Sequence, residues 1–120
     1  MKKTLLAVLS VAAMLAAAVV LSSPAVEAQG TVREFAVRGN QFAFAPSRLE
    51  VQKDDIVKVT FTAVDMPHSF TMDGPYRIAK RASAGQTVTF EFRATGSERF
   101  YCNLTQDERC KEMHGELVVK

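Results

Sequence analysis

From residue 30 onward the chain alternates apolar and polar side chains with a period of two, and this excludes most folds. Phe35 and Val37 alternate with Glu34, Ala36 and Arg38, and Leu49 and Val51 with Glu50 and Gln52. Val57, Val59, Phe61 and Ala63 alternate with Lys58, Thr60 and Thr62, and Val88, Phe90 and Phe92 with Thr89, Glu91 and Arg93. Successive side chains of a strand point to opposite faces, so each run offers one apolar face, rich in the β-branched and aromatic residues that suit a pleated surface. No stretch after residue 30 sustains a helical stripe over three turns. Turn signals at Lys53-Asp54-Asp55, Gly85-Gln86 and Thr95-Gly96-Ser97 punctuate the runs. Their spacing predicts a single antiparallel Greek-key β-sandwich or barrel of about seven to eight strands. Met66 to Ala84 is the least regular stretch and is expected to hold loops or a short helical turn.

The first residues follow a different pattern. Lys2 and Lys3 precede an apolar run from Leu5 to Leu21 broken only by Ser10, followed by Ser22-Ser23-Pro24 and the small-residue site Val26-Glu27-Ala28. A basic start, an apolar middle and small residues at the cut define a secretory signal peptide, cleaved after Ala28. An uncleaved anchor is the alternative, because the run approaches the length of about 20 residues that spans a bilayer. The expected organisation is a signal segment over residues 1–28 and one domain over 29–120. The protein is then exported, periplasmic or secreted, and held at a membrane only if the signal stays.

Charge narrows the function classes. Fifteen basic residues stand against thirteen acidic ones, and they do not form the clusters that bind nucleic acid or anionic surfaces. A chain this short folds as one small domain, expected to be a monomer, and cannot build a deep cleft between two lobes. No Cys-x-x-Cys, Ser–His–Asp pattern or phosphate loop occurs, so no enzyme is expected.

Both histidines and both cysteines fall in two segments. One is Asp65-Met66-Pro67-His68-Ser69-Phe70, just past an apolar strand; the other runs from Cys102 to Gly115 and holds Cys110, Met113 and His114. Thiolate, imidazole and thioether are the donors that favour copper, above all Cu(I). Met66 and Met72 are assigned to packing at the core edge.

These segments resemble those of the cupredoxin family, the blue copper proteins and the two-copper domain of cytochrome oxidase subunit II. Phe42-Ala43-Phe44-Ala45-Pro46 with Leu49-Glu50-Val51 is similar to the opening strands. Asp65 to Phe70 resembles the segment that gives the first His ligand, and Phe100-Tyr101-Cys102 the strand end that gives the Cys ligand. Met113 to Val119 resembles the closing Met-x-Gly-x-Leu-x-Val segment, which implies Met113 as axial ligand. The resemblance implies a cupredoxin-like fold and a copper or electron carrier.

The second His of the family pattern is missing. In the oxidase-type spacing Cys-x3-Cys-x3-His-x2-Met, Gln106 stands at the second Cys and Cys110 at the His. A two-copper centre is therefore rejected. His114 could supply an imidazole, but it neighbours Met113, and consecutive residues in extended chain face opposite ways. The favoured set is His68, Cys102, Cys110 and Met113 around one copper ion, held as Cu(I), with a redox or copper-transfer protein as partner. Two rival readings stay open: a type 1 electron carrier using His114, and a copper-free interaction domain stapled by a Cys102–Cys110 disulfide, which an oxidising compartment favours.

Overall fold

The computed structural model describes residues 30–120; the expected signal segment lies outside them. The described residues form nine strands: β1 Val32–Asn40, β2 Ala43–Ala45, β3 Arg48–Val51, β4 Ile56–Ala63, β5 His68–Met72, β6 Ile78–Ala82, β7 Thr87–Arg93, β8 Glu98–Tyr101 and β9 His114–Val119. A short 3-10 helix, Glu108–Glu112, precedes β9. Two sheets pack face to face in the orders β2-β1-β4-β7 and β3-β9-β8-β5-β6, without closing into a barrel. Among the described residues no helix is long and apolar enough to cross a membrane.

The all-β sandwich follows from the alternation: Val57, Val59, Phe61 and Ala63 are all buried, and the residues between them are half-exposed. Three finer expectations are corrected. The sheets are mixed, because β1 runs parallel to β4 and β3 parallel to β9. Alternation fixes which face of a strand is buried, but carries no information on the direction of its neighbour. The strands number nine rather than seven or eight, partly because the stretch expected to be irregular contains β5 and β6. Strand β5 shows no alternation because all five of its residues, His68 to Met72, are buried, which erases the polar half of the pattern.

The chain leaves one sheet after Ala45 and joins the other at Arg48, and β2 and β3 are each the edge strand of their sheet. Phe70 stacks on Phe100 with ring centres 4.5 Å apart, and Phe44 meets Phe100 edge-on at 5.0 Å. Such pairs add about 0.5–1.5 kcal/mol each beyond the area they bury. Gly115 of β9 lies flat against this stack: a Cβ there would collide with the Phe100 ring and come within 2.6 Å of the Ser47 carbonyl oxygen.

At the start of β1, the buried Asp55 carboxylate accepts from the Thr31 and Gln52 N–H groups at 3.0 and 2.9 Å and from Arg33. Farther along, the Tyr76 hydroxyl donates to the Gly96 carbonyl at 2.5 Å and accepts from the Thr95 and Gly96 N–H groups.

Candidate metal centre

Strand register gathers the expected ligands at one end of the sandwich. Strands β5 and β8 pair Met72 with Phe100 and Thr71 with Tyr101. Continuing that register one step sets Phe70 level with Cys102, in keeping with the Ser69–Asn103 hydrogen bonds one step farther, and His68 one pleat beyond on the same inward face. Strands β8 and β9 pair Phe100 with Gly115 and Tyr101 with His114. The next pair is Cys102 with Met113, joined by a bond from the Cys102 N–H to the Met113 carbonyl at 3.3 Å. Side chains level with one another on one face have Cβ atoms about 5 Å apart, and diagonal ones sit about 7–8 Å apart. His68, Cys102 and Met113, exposed by 1%, 2% and 0%, thus share one buried face above the Phe70–Phe100 stack.

Cys110 reaches the same place through the 3-10 helix. Asp107 caps that helix, its side chain accepting from the Arg109 N–H at 2.9 Å and its carbonyl from the Cys110 N–H at 3.1 Å. The turn swings Cys110 back over the strand end, and Cys102 and Cys110 are joined in a disulfide, with Cα atoms 5.5 Å apart. The two sulfurs expected as separate thiolate ligands are therefore bonded to each other. Spacing permits either outcome; the turn that Asp107 caps brings the pair within bonding distance.

His114 lies on the opposite side of β9 from Met113. It is exposed, and its Nδ1 contacts the Glu112 carbonyl at 3.0 Å. Met72 is buried in the core and Met66 is half-buried.

The imidazole of His68 carries the most telling feature of the site. Its Nε2 lies 2.8 Å from Asp65 Oδ1, while its Nδ1 is buried with no hydrogen-bond partner. Burial raises the Asp65 carboxyl, but hydrogen bonds from His68 and the Gln41 N–H outweigh it and hold the group below its ordinary value. An ionised carboxylate only accepts, so the bond to Asp65 places a proton on Nε2, and a neutral ring so bonded presents the lone pair of Nδ1. A buried acceptor without a donor costs about 1–3 kcal/mol, and a lone pair of this kind is what a copper or zinc ion binds.

The neighbouring strand ends are clamped. Ser69 Oγ donates to Asn103 Oδ1 at 2.7 Å and accepts from the Asn103 N–H at 2.8 Å, locking the residue after Cys102 to the residue after His68. Neither Asp65 nor this clamp was singled out from sequence. The Asp-x-x-His spacing was visible, but such spacing is common in loops and gains meaning only beside the orphaned nitrogen.

A sandwich with this strand order and a nitrogen–sulfur cluster at one end defines a class, and the profile of the Cupredoxin-like domain family matches residues 11–119. The chain belongs to that family. No curated protein matches it in sequence. Among solved structures, auracyanin A, a "blue" copper protein from Chloroflexus aurantiacus, superposes with a TM-score of 0.62 at 18% identity, covering 74% of this chain and 99% of that one. A chain of a heme-copper terminal oxidase dimer gives 0.64 at 14% identity, covering 79% of this chain and 68% of that one. A multicopper oxidase gives 0.60 at 20% identity over 75% of this chain, which spans only 39% of the oxidase. At these identities the likeness is one of fold.

Proposed function

We propose that this chain is an exported copper-binding protein that takes up one Cu(I) through His68, Cys102, Cys110 and Met113 once its loop disulfide has been reduced, and passes it to a protein partner. The observation that carries the reading is the buried, unpartnered Nδ1 of His68 on the face it shares with Cys102 and Met113. Copper would be bound by one imidazole, two thiolates and a thioether, a soft set that stabilises Cu(I) over Cu(II). The residues of the chain do the rest. His68 offers a preformed lone pair, the Phe70–Phe100 stack floors the site, and the Ser69–Asn103 clamp holds the Cys102 strand end.

Thiolates require a reductant, here a dithiol. One thiolate of the dithiol attacks one sulfur of the Cys102–Cys110 bond, forming a mixed disulfide and releasing the other cysteine as a thiolate. The second dithiol sulfur then displaces the remaining cysteine. Two electrons pass to the cysteine pair, the dithiol leaves as its own disulfide, and the cysteines remain as thiols that lose their protons on ligation.

The exposed His114, turned to the outer face, supports carriage of Cu(I) over a type 1 electron carrier, which needs a second imidazole. Binding rather than catalysis is the role proposed. The closed disulfide favours one other reading, a copper-free interaction domain.

A Cu(I) titration against a chromophoric chelator, read together with native mass, separates them. The reduced protein should hold one copper, and the oxidised protein and the Cys102→Ser and His68→Ala variants should hold none. No copper on the reduced wild type would overturn the proposal in favour of the interaction domain. Full loading of Cys102→Ser would overturn the ligand set.

A further inference from the structure

We infer that Asp65 is the positioning residue of this site: its two carboxylate oxygens hold His68 in the tautomer that presents Nδ1 and brace the turn facing the cysteine loop. The inference rests on the copper-binding reading for its purpose, though not for its geometry.

Each oxygen of Asp65 has a different partner. Oδ1 lies 2.8 Å from His68 Nε2, and Oδ2 accepts from the Gln41 backbone N–H at 3.1 Å. The imidazole is enclosed, while the Asp65 side chain keeps 22% of its surface exposed. The carboxylate therefore stands between the ring and water and takes the proton-bearing nitrogen to the solvent side. A neutral imidazole free of such a partner divides between two tautomers, and only one of them leaves Nδ1 able to bind a metal. Fixing the tautomer and the ring orientation through the second nitrogen is how partners of ligating histidines act in general.

The second oxygen extends the reach of the residue. Gln41 and Phe42 both have positive φ, 23° and 71°, a left-handed turn that is costly for residues with a Cβ and persists only where surrounding contacts hold it. The bond from the Gln41 N–H to Asp65 is one such contact. A second comes from Arg109, whose guanidinium lies 4.3 Å from the centre of the Phe42 ring. Arg109 belongs to the 3-10 helix that carries Cys110. Asp65 thus links the segment bearing His68 to the segment bearing Cys110 through the Gln41–Phe42 turn. Its place three residues before His68 lets one short loop make both bonds.

The test uses the metal-free, disulfide-closed protein first. Long-range proton–nitrogen NMR at fixed neutral pH reads the tautomer of His68; the exposed His114 serves as an internal reference. The wild type should show a single Nε2–H tautomer. Asp65→Ala should give a mixture, and Asp65→Asn, which keeps one acceptor oxygen, should recover most of the wild-type state. Tyr76→Phe, which cuts the remote Tyr76–Gly96 bonds, should destabilise the fold without moving the tautomer.

After reduction, Asp65→Ala should bind Cu(I) about 10–100-fold more weakly than the wild type, the usual loss for a missing partner of a metal-bound His. A wild-type tautomer in Asp65→Ala, or in Asp65→Asn with the acceptor demonstrably turned away should the alanine variant not fold, would overturn the inference. Failure of the reduced wild type to take copper would instead overturn the copper reading, while the NMR result on the metal-free protein would still decide the role of Asp65.

Discussion

Reducing the Cys102–Cys110 bond in metal-free protein should expose how much of the stability of the fold rests on it. The cysteines are separated by 8 residues, and closing a loop that short removes unfolded-state entropy equivalent to about 2–3 kcal/mol. That is a large part of the stability of a small domain, commonly 5–15 kcal/mol. Both sulfurs remain buried after reduction if the core is kept, since Cys102 and Cys110 are exposed by only 2% and 3%, so no large transfer term should be added. The melting temperature should fall by roughly 10–20 °C, and the urea midpoint at 25 °C by roughly 1–2 M, with a slope that is equal or slightly steeper because the unlinked unfolded chain exposes more surface. Cu(I) at one hundred times its dissociation constant restores about 2.7 kcal/mol, so the loaded, reduced protein should melt close to the oxidised one. Circular dichroism in urea, on oxidised, reduced and copper-loaded samples, makes the comparison directly. The Cys110→Ala variant checks that the loss comes from the bond and not from the reductant. Equal midpoints for oxidised and reduced metal-free protein would refute the entropic reasoning. Equal restoration by copper in Cys102→Ser would refute the claim that the metal replaces the cross-link at this site.

Three further outcomes test the surroundings of the site. Gly115→Ala should lose about 1–3 kcal/mol, because the added methyl meets the immobile Phe100 ring and the Ser47 carbonyl and the core resists overpacking; a melting curve measures it. Ser69→Ala should cost about 1–3 kcal/mol by leaving the Asn103 N–H without its partner, and should broaden the amide signals of Cys102 and Asn103. Finally, the Gln52 N–H holds the Asp55 carboxyl below its ordinary value against the opposing effect of burial, with Arg33 and Thr31 adding to it. A carboxyl depressed in the folded state adds stability above its unfolded pKa of about 3.9 and loses it as pH falls through the lower folded value. Acid titration below pH about 4 should therefore show a steep loss of stability that Asp55→Asn, destabilised at neutral pH, shows less of.

How much of this was legible in the residues differs from element to element. Strand β4 could be read directly, since Val57, Val59, Phe61 and Ala63 are buried and their neighbours are not. Strand β5 could not, because Ser69 and Thr71 are covered as fully as Phe70. For the site, the donor types in two short segments were enough to name His68, Cys102, Cys110 and Met113. Their union depends on the register that sets Cys102 beside Met113 and brings β8 next to β5, the strand of His68, far from it in the chain. Asp65 stood in plain sight three residues before His68, yet its role appears only when one ring nitrogen is bonded and the other is buried without a partner.

Side-chain chemistry and periodicity are local properties, and so an all-β sandwich with a cluster of soft donors could be derived from the order of residues alone. Strand direction, register and the joining of the two thiols are non-local. Alternation is satisfied equally by a parallel or an antiparallel neighbour, and a Cys pair by a bond or by a shared ion. Only the packing of the two sheets, which brings β3 beside β9 and folds the Asp107-capped turn over the end of β8, chooses among them.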